Sequence, residues 1–125
     1  MPRKSDPVEQ LRQICLALPE TTERLSHGEP SFFIRDKKQF VSLDDHHHNA
    51  AHLAFWCPAA PGVQEQLIAE DGDQFFRPPY VGHRGWVGVR IDRGPDWSEV
   101  AAIVADAYRQ VAPKQLVQRL DGPGA

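Results

Sequence analysis

The chain has 125 residues and carries 14 Lys+Arg against 17 Asp+Glu, a formal net charge of -3. That length fits one domain, which at this size buries enough surface to fold without disulfides or a structural metal. A composition 41% hydrophobic and 25% charged excludes a disordered tail, a collagen-like chain and a disulfide scaffold, and the negative balance means that affinity for phosphates has to come from a local patch. The reading is a single domain over residues 1–125, ordered over about 5–120, with 121–125 as a loose tail.

At the N-terminus, Asp6 is placed to cap, Pro7 fits the first helical position, and Glu9 lies three residues after the cap. Val8, Leu11, Ile14, Cys15 and Leu18 then recur at helical spacing until Pro19 ends the pattern. A polar connection follows. Ser31 to Arg35 and Gln39 to Asp44 read as strands of a hairpin across Asp36-Lys37-Lys38, and Asp45-His46-His47-His48-Asn49 reads as a second polar turn. The run from Ala50 to Cys57 is strand-like and is closed by Pro58.

Pro61-Gly62-Val63 opens a short helix that ends at Glu70-Asp71-Gly72-Asp73. Phe75 to Val81 is extended, because each proline biases the residue before it away from helix. Gly85 to Ile91 is the clearest strand, and Asp92-Arg93-Gly94-Pro95 is its turn. Asp96 or Ser98 then caps a long helix through Val100, Ile103, Val104, Ala107, Tyr108 and Val111, broken at Pro113, with a last turn or two through Leu116 and Leu120. The order of elements predicts an α+β, two-layer domain: a mainly antiparallel sheet with the N- and C-terminal helices packed on one face.

Cys15 and Cys57 stand in no paired metal or redox spacing and read as buried thiols, and neither a secretory leader nor a membrane span is visible. A cytoplasmic location is the expectation. His46, His47, His48 and His52 fall within seven residues, but neighbours on a strand point to opposite faces, so a solvated turn is expected and no metal is assigned. No nucleophile elbow or phosphate-binding glycine loop occurs, so no catalytic residue and no cofactor is assigned.

Two sets of residues carry binding chemistry. From Arg77 to Arg93 there are four arginines (77, 84, 90 and 93) against the single acid Asp92, and Lys37 and Lys38 add cations from the hairpin turn. Such wings lie along a nucleic-acid backbone, with Trp86 or Tyr80 available for stacking. In the strands, alternation sets Val87, Val89 and Ile91 against Trp86, Gly88 and Arg90, and Leu53, Phe55 and Cys57 against His52, Ala54 and Trp56. The aliphatic sides are expected beneath the helices. The opposite face then bears Trp56, Trp86, His52 and Arg90, joined by Phe33 or Phe40 and by Tyr80, and needs a cover, a second subunit or a planar ligand.

His27-Gly28-Glu29-Pro30-Ser31-Phe32-Phe33 with Lys38-Gln39-Phe40, and Pro78-Pro79-Tyr80-Val81-Gly82-His83-Arg84-Gly85-Trp86-Val87, resemble the MmcQ/YjbR-like proteins. Leu16-Ala17-Leu18-Pro19 and Ala107 to Lys114 fit the same family, so the likeness covers nearly the whole chain. The resemblance implies a frataxin-like α+β layout and a customary label of DNA-binding protein, with no agreed catalytic residues. Members often place a lysine just ahead of the proline that precedes the short helix, where this chain has Phe55, Trp56 and Cys57, and Ala107-Tyr108 stands where many carry Ser-Tyr.

The resulting expectation is a non-catalytic DNA-binding module, monomeric or homodimeric, using Lys37, Lys38, Arg77, Arg84, Arg90 and Arg93. The alternative is capture of a planar aromatic small molecule by Phe33, Phe40, His52, Trp56, Tyr80, Trp86 and Arg90, and below that an enzyme acting on such a molecule.

Overall fold

The computed structural model describes residues 6–45 and 52–122. Its elements run α1 (Pro7–Leu16), β1 (Thr21–Ser26), β2 (Glu29–Ile34), β3 (Lys38–Asp45), β4 (Leu53–Cys57), α2 (Val63–Glu70), β5 (Phe75–Phe76), β6 (Val87–Arg90), α3 (Trp97–Val111) and α4 (Lys114–Asp121). All six strands join one antiparallel sheet in the order β1-β2-β3-β4-β6-β5. The expected α+β layering holds. His46, His47, His48, Ala50 and the tail from Pro123 lie outside the described residues, whereas Asp121 closes α4 instead of opening a loose tail.

Both long helices start where capping chemistry places them. Asp6 Oδ1 accepts from the backbone N–H of Val8 and Glu9, and Asp96 Oδ1 does the same for Ser98 and Glu99. Glu9 does not complete a reciprocal box; its carboxylate turns outward to Arg12 at 2.7 Å. Leu11 and Cys15 of α1, with Val100, Val104, Ala107 and Tyr108 of α3, pack on Phe32, Val41, Phe55, Cys57, Val87 and Val89 of the sheet. Tyr108 is fully buried, stands edge-on to Phe40 at 5.6 Å, and donates its hydroxyl proton to the carbonyl of Pro19 at 2.6 Å.

Two departures from the expected elements have physical causes. β1 replaces the polar connection: only one of its six residues, Leu25, is a large apolar side chain, and it is exposed, so the strand carries no hydrophobic alternation. Edge pairing with β2 and the Arg12–Glu23 contact at 2.7 Å hold it instead. In the β2–β3 ladder, Phe32 faces Val41 but Phe33 faces Gln39, so Phe40 is an extra residue in a β-bulge. The bulge lets Phe40 and Val41 both enter the helix-side core, which corrects the placement of Phe40 on the second face and brings Gln39 there in its stead.

Candidate ligand-binding groove

The face of the sheet turned away from α1 and α3 is built by register. Ser31, Ser42, Trp56, Gly88 and Phe76 form one row across β2, β3, β4, β6 and β5. At its β5 end the row is covered by the chain itself: a Cβ on Gly88 would lie 2.4 Å from the Phe76 ring, so that ring lies flat over the glycine, and His52 leans on it at 5.2 Å between centroids. At the β2 end Phe33 is capped by the Arg24 guanidinium, 4.0 Å from its centroid, which is itself held by Asp36 at 2.7 Å. Neither Phe33, Phe40 nor His52 lines the open part.

Between these two covered margins opens a groove of about 1060 Å³, which continues around the end of β4 past Pro58 and Ala59 to Gln110 and Val111 of α3. Trp56 and Trp86 form its floor, Gln39, Ser42 and Asp44 its β3 wall, and Tyr80 with Arg84 its opposite lip. The tryptophans are packed side chains with 7% and 8% exposure, whereas Tyr80 is 71% exposed, so the ring that this site presents to solvent is the tyrosine. Asp44 is 3% exposed and enters the groove from beside Ala54. Ser26, His27 and Glu29 extend the same end, where Glu29 accepts from the backbone N–H of Asp45 at 3.1 Å.

The lip is a constructed loop. Val81 N–H bonds to the Pro79 carbonyl at 2.7 Å, closing a γ-turn on Tyr80, which sits at φ 67°. A non-glycine residue in that region costs roughly 1–3 kcal/mol and persists only where its surroundings impose it. Here Pro78 and Pro79 fix the approach, and Gly82 N–H returns to the Pro78 carbonyl at 3.0 Å. A 3₁₀ turn, Gly82–Arg84, and Gly85 at φ 88° then lead into β6. Buried Gln64 of α2 clamps the turn by donating to the carbonyls of Gly82 and Trp86. Sequence reasoning missed Gln64, because a glutamine on a short amphipathic helix reads as surface.

The six predicted cations do not form one stripe. Strand directions place Lys37, Lys38, Arg77 and Arg84 at the end of the sheet where β3 and β6 begin. Arg90 and Arg93 lie at the other end, in a small cleft with Asp71, Asp73, Asp96 and Glu99, and Arg90 is paired with Asp92 at 3.2 Å. Arg90 therefore does not line the aromatic groove. Among the described residues, no ion pair holds Lys37, Lys38, Arg77 or Arg84; Arg77 packs along Gly82, and Arg84 stands over Trp86 at 5.5 Å.

Cys15 and Cys57 are free and fully buried on the helix side. Burial raises both thiols, Cys57 to about 12, so neither is a nucleophile at neutral pH. Among the described residues no group of three or more His, Cys, Asp or Glu is placed to hold a metal ion, and no helix is long and apolar enough to cross a membrane.

A two-layer α+β domain with one helix-covered sheet face and one grooved face is the class these features define. The chain belongs to the YjbR family, whose model matches residues 16–110 and so takes in both the groove floor and its lip. Among solved structures it is similar to the crystal structure of the Deinococcus radiodurans protein DR2400, described by the family-model domain DUF419. That match has a TM-score of 0.75 and 17% sequence identity, and covers 100% of this chain and 95% of the other. At that identity the likeness shows the fold alone. Comparison with curated proteins returns no match.

Proposed function

We propose that the protein is a binding module that holds a planar aromatic small molecule in the groove over Trp56 and Trp86. The observation that carries this reading is the groove itself: about 1060 Å³, opening on the helix-free face and running past Pro58 and Ala59 to Gln110 and Val111 of α3, with two indoles in its floor and an exposed tyrosine at its lip. Concave sites of this size suit ligands of drug-like dimensions, and the lining here is divided about evenly between polar and apolar groups. Tyr80 supplies an exposed ring, the two indoles supply apolar contact, and Ser42, Gln39 and Asp44 supply hydrogen-bonding partners. The test is intrinsic fluorescence and melting temperature during a screen of planar aromatic compounds. Tyr80→Ala is expected to weaken binding without lowering the melting temperature of the free protein, and Trp86→Ala to weaken binding and stability together. If no compound changes emission or melting temperature, the reading fails.

A second reading, DNA binding, draws on the four cations that share one end of the sheet and have no ion-pair partner among the described residues: Lys37, Lys38, Arg77 and Arg84. Phosphate contacts of this kind make log K fall by about 0.9 per contact with log salt on duplex DNA. Anisotropy at low salt is expected to show salt-sensitive binding that weakens for all sequences alike in Lys38→Gln and Arg84→Gln. Absence of binding to duplex and single strands at roughly tens of micromolar protein removes this reading.

A further inference from the structure

Charge along the groove is ordered as well as present. Asp44 pairs with Ala54, so it lies two residues along from Trp56, which faces Ser42; Trp56 faces Gly88, two residues beyond Trp86. Asp44, Trp56 and Trp86 therefore follow one diagonal over β3, β4 and β6. Strand spacing of ~4.8 Å and a rise of ~3.3 Å per residue make the diagonal roughly 16 Å between its outer Cα positions. A buried carboxylate stands at one end, two indoles in the middle, and the Arg84 guanidinium over the last indole at the other.

Arg84 is the arginine that lines the groove; Arg77, likewise without an ion pair among the described residues, packs along Gly82 outside it. Arg24, Arg35 and Arg90 each hold a carboxylate, at 2.7, 2.8 and 3.2 Å. Arg84 pairs with no carboxylate among the described residues; it rests on the ring of Trp86, which leaves its forked N–H donors for an incoming anion. The loop beneath it is clamped by Gln64, so the guanidinium is presented from a fixed base.

Resting on the groove reading above, we infer that the ligand is a small phosphorylated planar heterocycle. Its ring lies along the Trp56–Trp86 diagonal under Tyr80, a ring-edge N–H donates to Asp44, and its phosphate arm reaches Arg84. The carboxylate end selects a donor edge on the ring, since an acceptor there faces the Asp44 oxygens. The guanidinium end selects the anion. Lys38, which also lines the groove at the Arg84 end, adds positive potential there.

Two probes that share one ring system separate the terms: flavin mononucleotide, which has the phosphate, and riboflavin, which lacks it. Both carry an imide N–H on the ring edge, and stacking against Tyr or Trp quenches their own emission. Titration at low salt is expected to show flavin mononucleotide binding at least about tenfold more tightly than riboflavin, with the gap narrowing as salt rises. Arg84→Gln is expected to remove most of the gap, leaving the smaller part that Lys38 supplies, and Asp44→Asn to weaken both. Because Asp44 is buried and its replacement also touches folding, the deciding comparison is the one made in Arg84→Gln, at the groove lip. Equal affinities in the unaltered protein, or a gap undiminished in Arg84→Gln, overturns the inference and leaves the groove reading intact. So does the absence of flavin binding while other planar compounds bind. Absence of any response to flavins and to the wider screen overturns both.

Discussion

Tyr80 is the residue at which backbone and function pull in opposite directions. Its φ of 67° suits glycine, yet the ring it carries is the exposed aromatic of the groove. Tyr80→Gly is therefore expected to hold or raise stability, by up to about 1 kcal/mol from relieved strain, while removing ligand binding; Tyr80→Phe is expected to keep both properties close to the unaltered protein. Urea unfolding beside the fluorescence titration checks this, and a clear loss of stability in Tyr80→Gly contradicts it. Tyr108 shows the converse case. Its hydroxyl joins α3 to the α1–β1 connection through Pro19, 89 positions away, inside the helix-side core. Tyr108→Phe removes that donor and strands the Pro19 carbonyl, at an expected cost of about 1–2 kcal/mol in urea unfolding, with ligand binding unchanged because neither residue lines the groove. Neither role was legible from spacing: Tyr108 reads as one more apolar position of a helix, and the strain at Tyr80 depends on a γ-turn that only the folded loop defines.

At the scale of elements, most strands and helices were legible because their apolar residues recur with a single period. β6 and β4 divide their side chains as alternation demands, and α3 begins at Asp96, one of the two caps expected. What escaped were the places where period is broken or absent. β1 offers no apolar face to detect, and the bulge at Phe40 shifts the phase of β3 by one residue, so strict alternation sends that ring to the wrong side. The Phe76–Gly88 contact is a third such place, since β5 is two residues long and its covering ring is visible only once β5 pairs with β6. Gly88→Ala places a methyl group within 2.4 Å of that ring and is expected to destabilise by about 1–3 kcal/mol. Because the clash belongs to one pair, Phe76→Ala is expected to recover part of the loss. A double-mutant cycle measured by denaturant unfolding checks the coupling, and simple additivity of the two changes rules out the stated contact.

Over the whole molecule, the response to pH is set by surface carboxylates at one extreme and buried thiols at the other. The groups held in their charged form sit on the surface: hydrogen bonding to Arg35 lowers Glu20 and hydrogen bonding to Arg109 lowers Asp121. The groups held neutral are interior: burial raises Tyr108, Cys15 and, to about 12, Cys57. For the carboxylates the folded state binds protons less readily than the unfolded chain, so their contribution is present above the ordinary carboxylate range and is lost as pH falls through the lowered values. For the thiols and the phenol the folded state keeps its protons longer, so stability is full below about pH 8.5, where unfolded thiols begin to ionise, and declines as pH rises toward the raised folded values. The two arms are expected to differ in salt sensitivity. Exposed ion pairs are screened, so added salt flattens the acid arm, whereas buried thiols sense little of the solvent and the alkaline arm keeps its slope. Unfolding free energies between about pH 3 and 11 at low and high salt check this. Cys57→Ala is expected to reduce the slope above about pH 8.5 without altering the acid arm. An alkaline slope that is unchanged in Cys57→Ala, or that collapses with salt, would place its origin at the surface and contradict the assignment to the core.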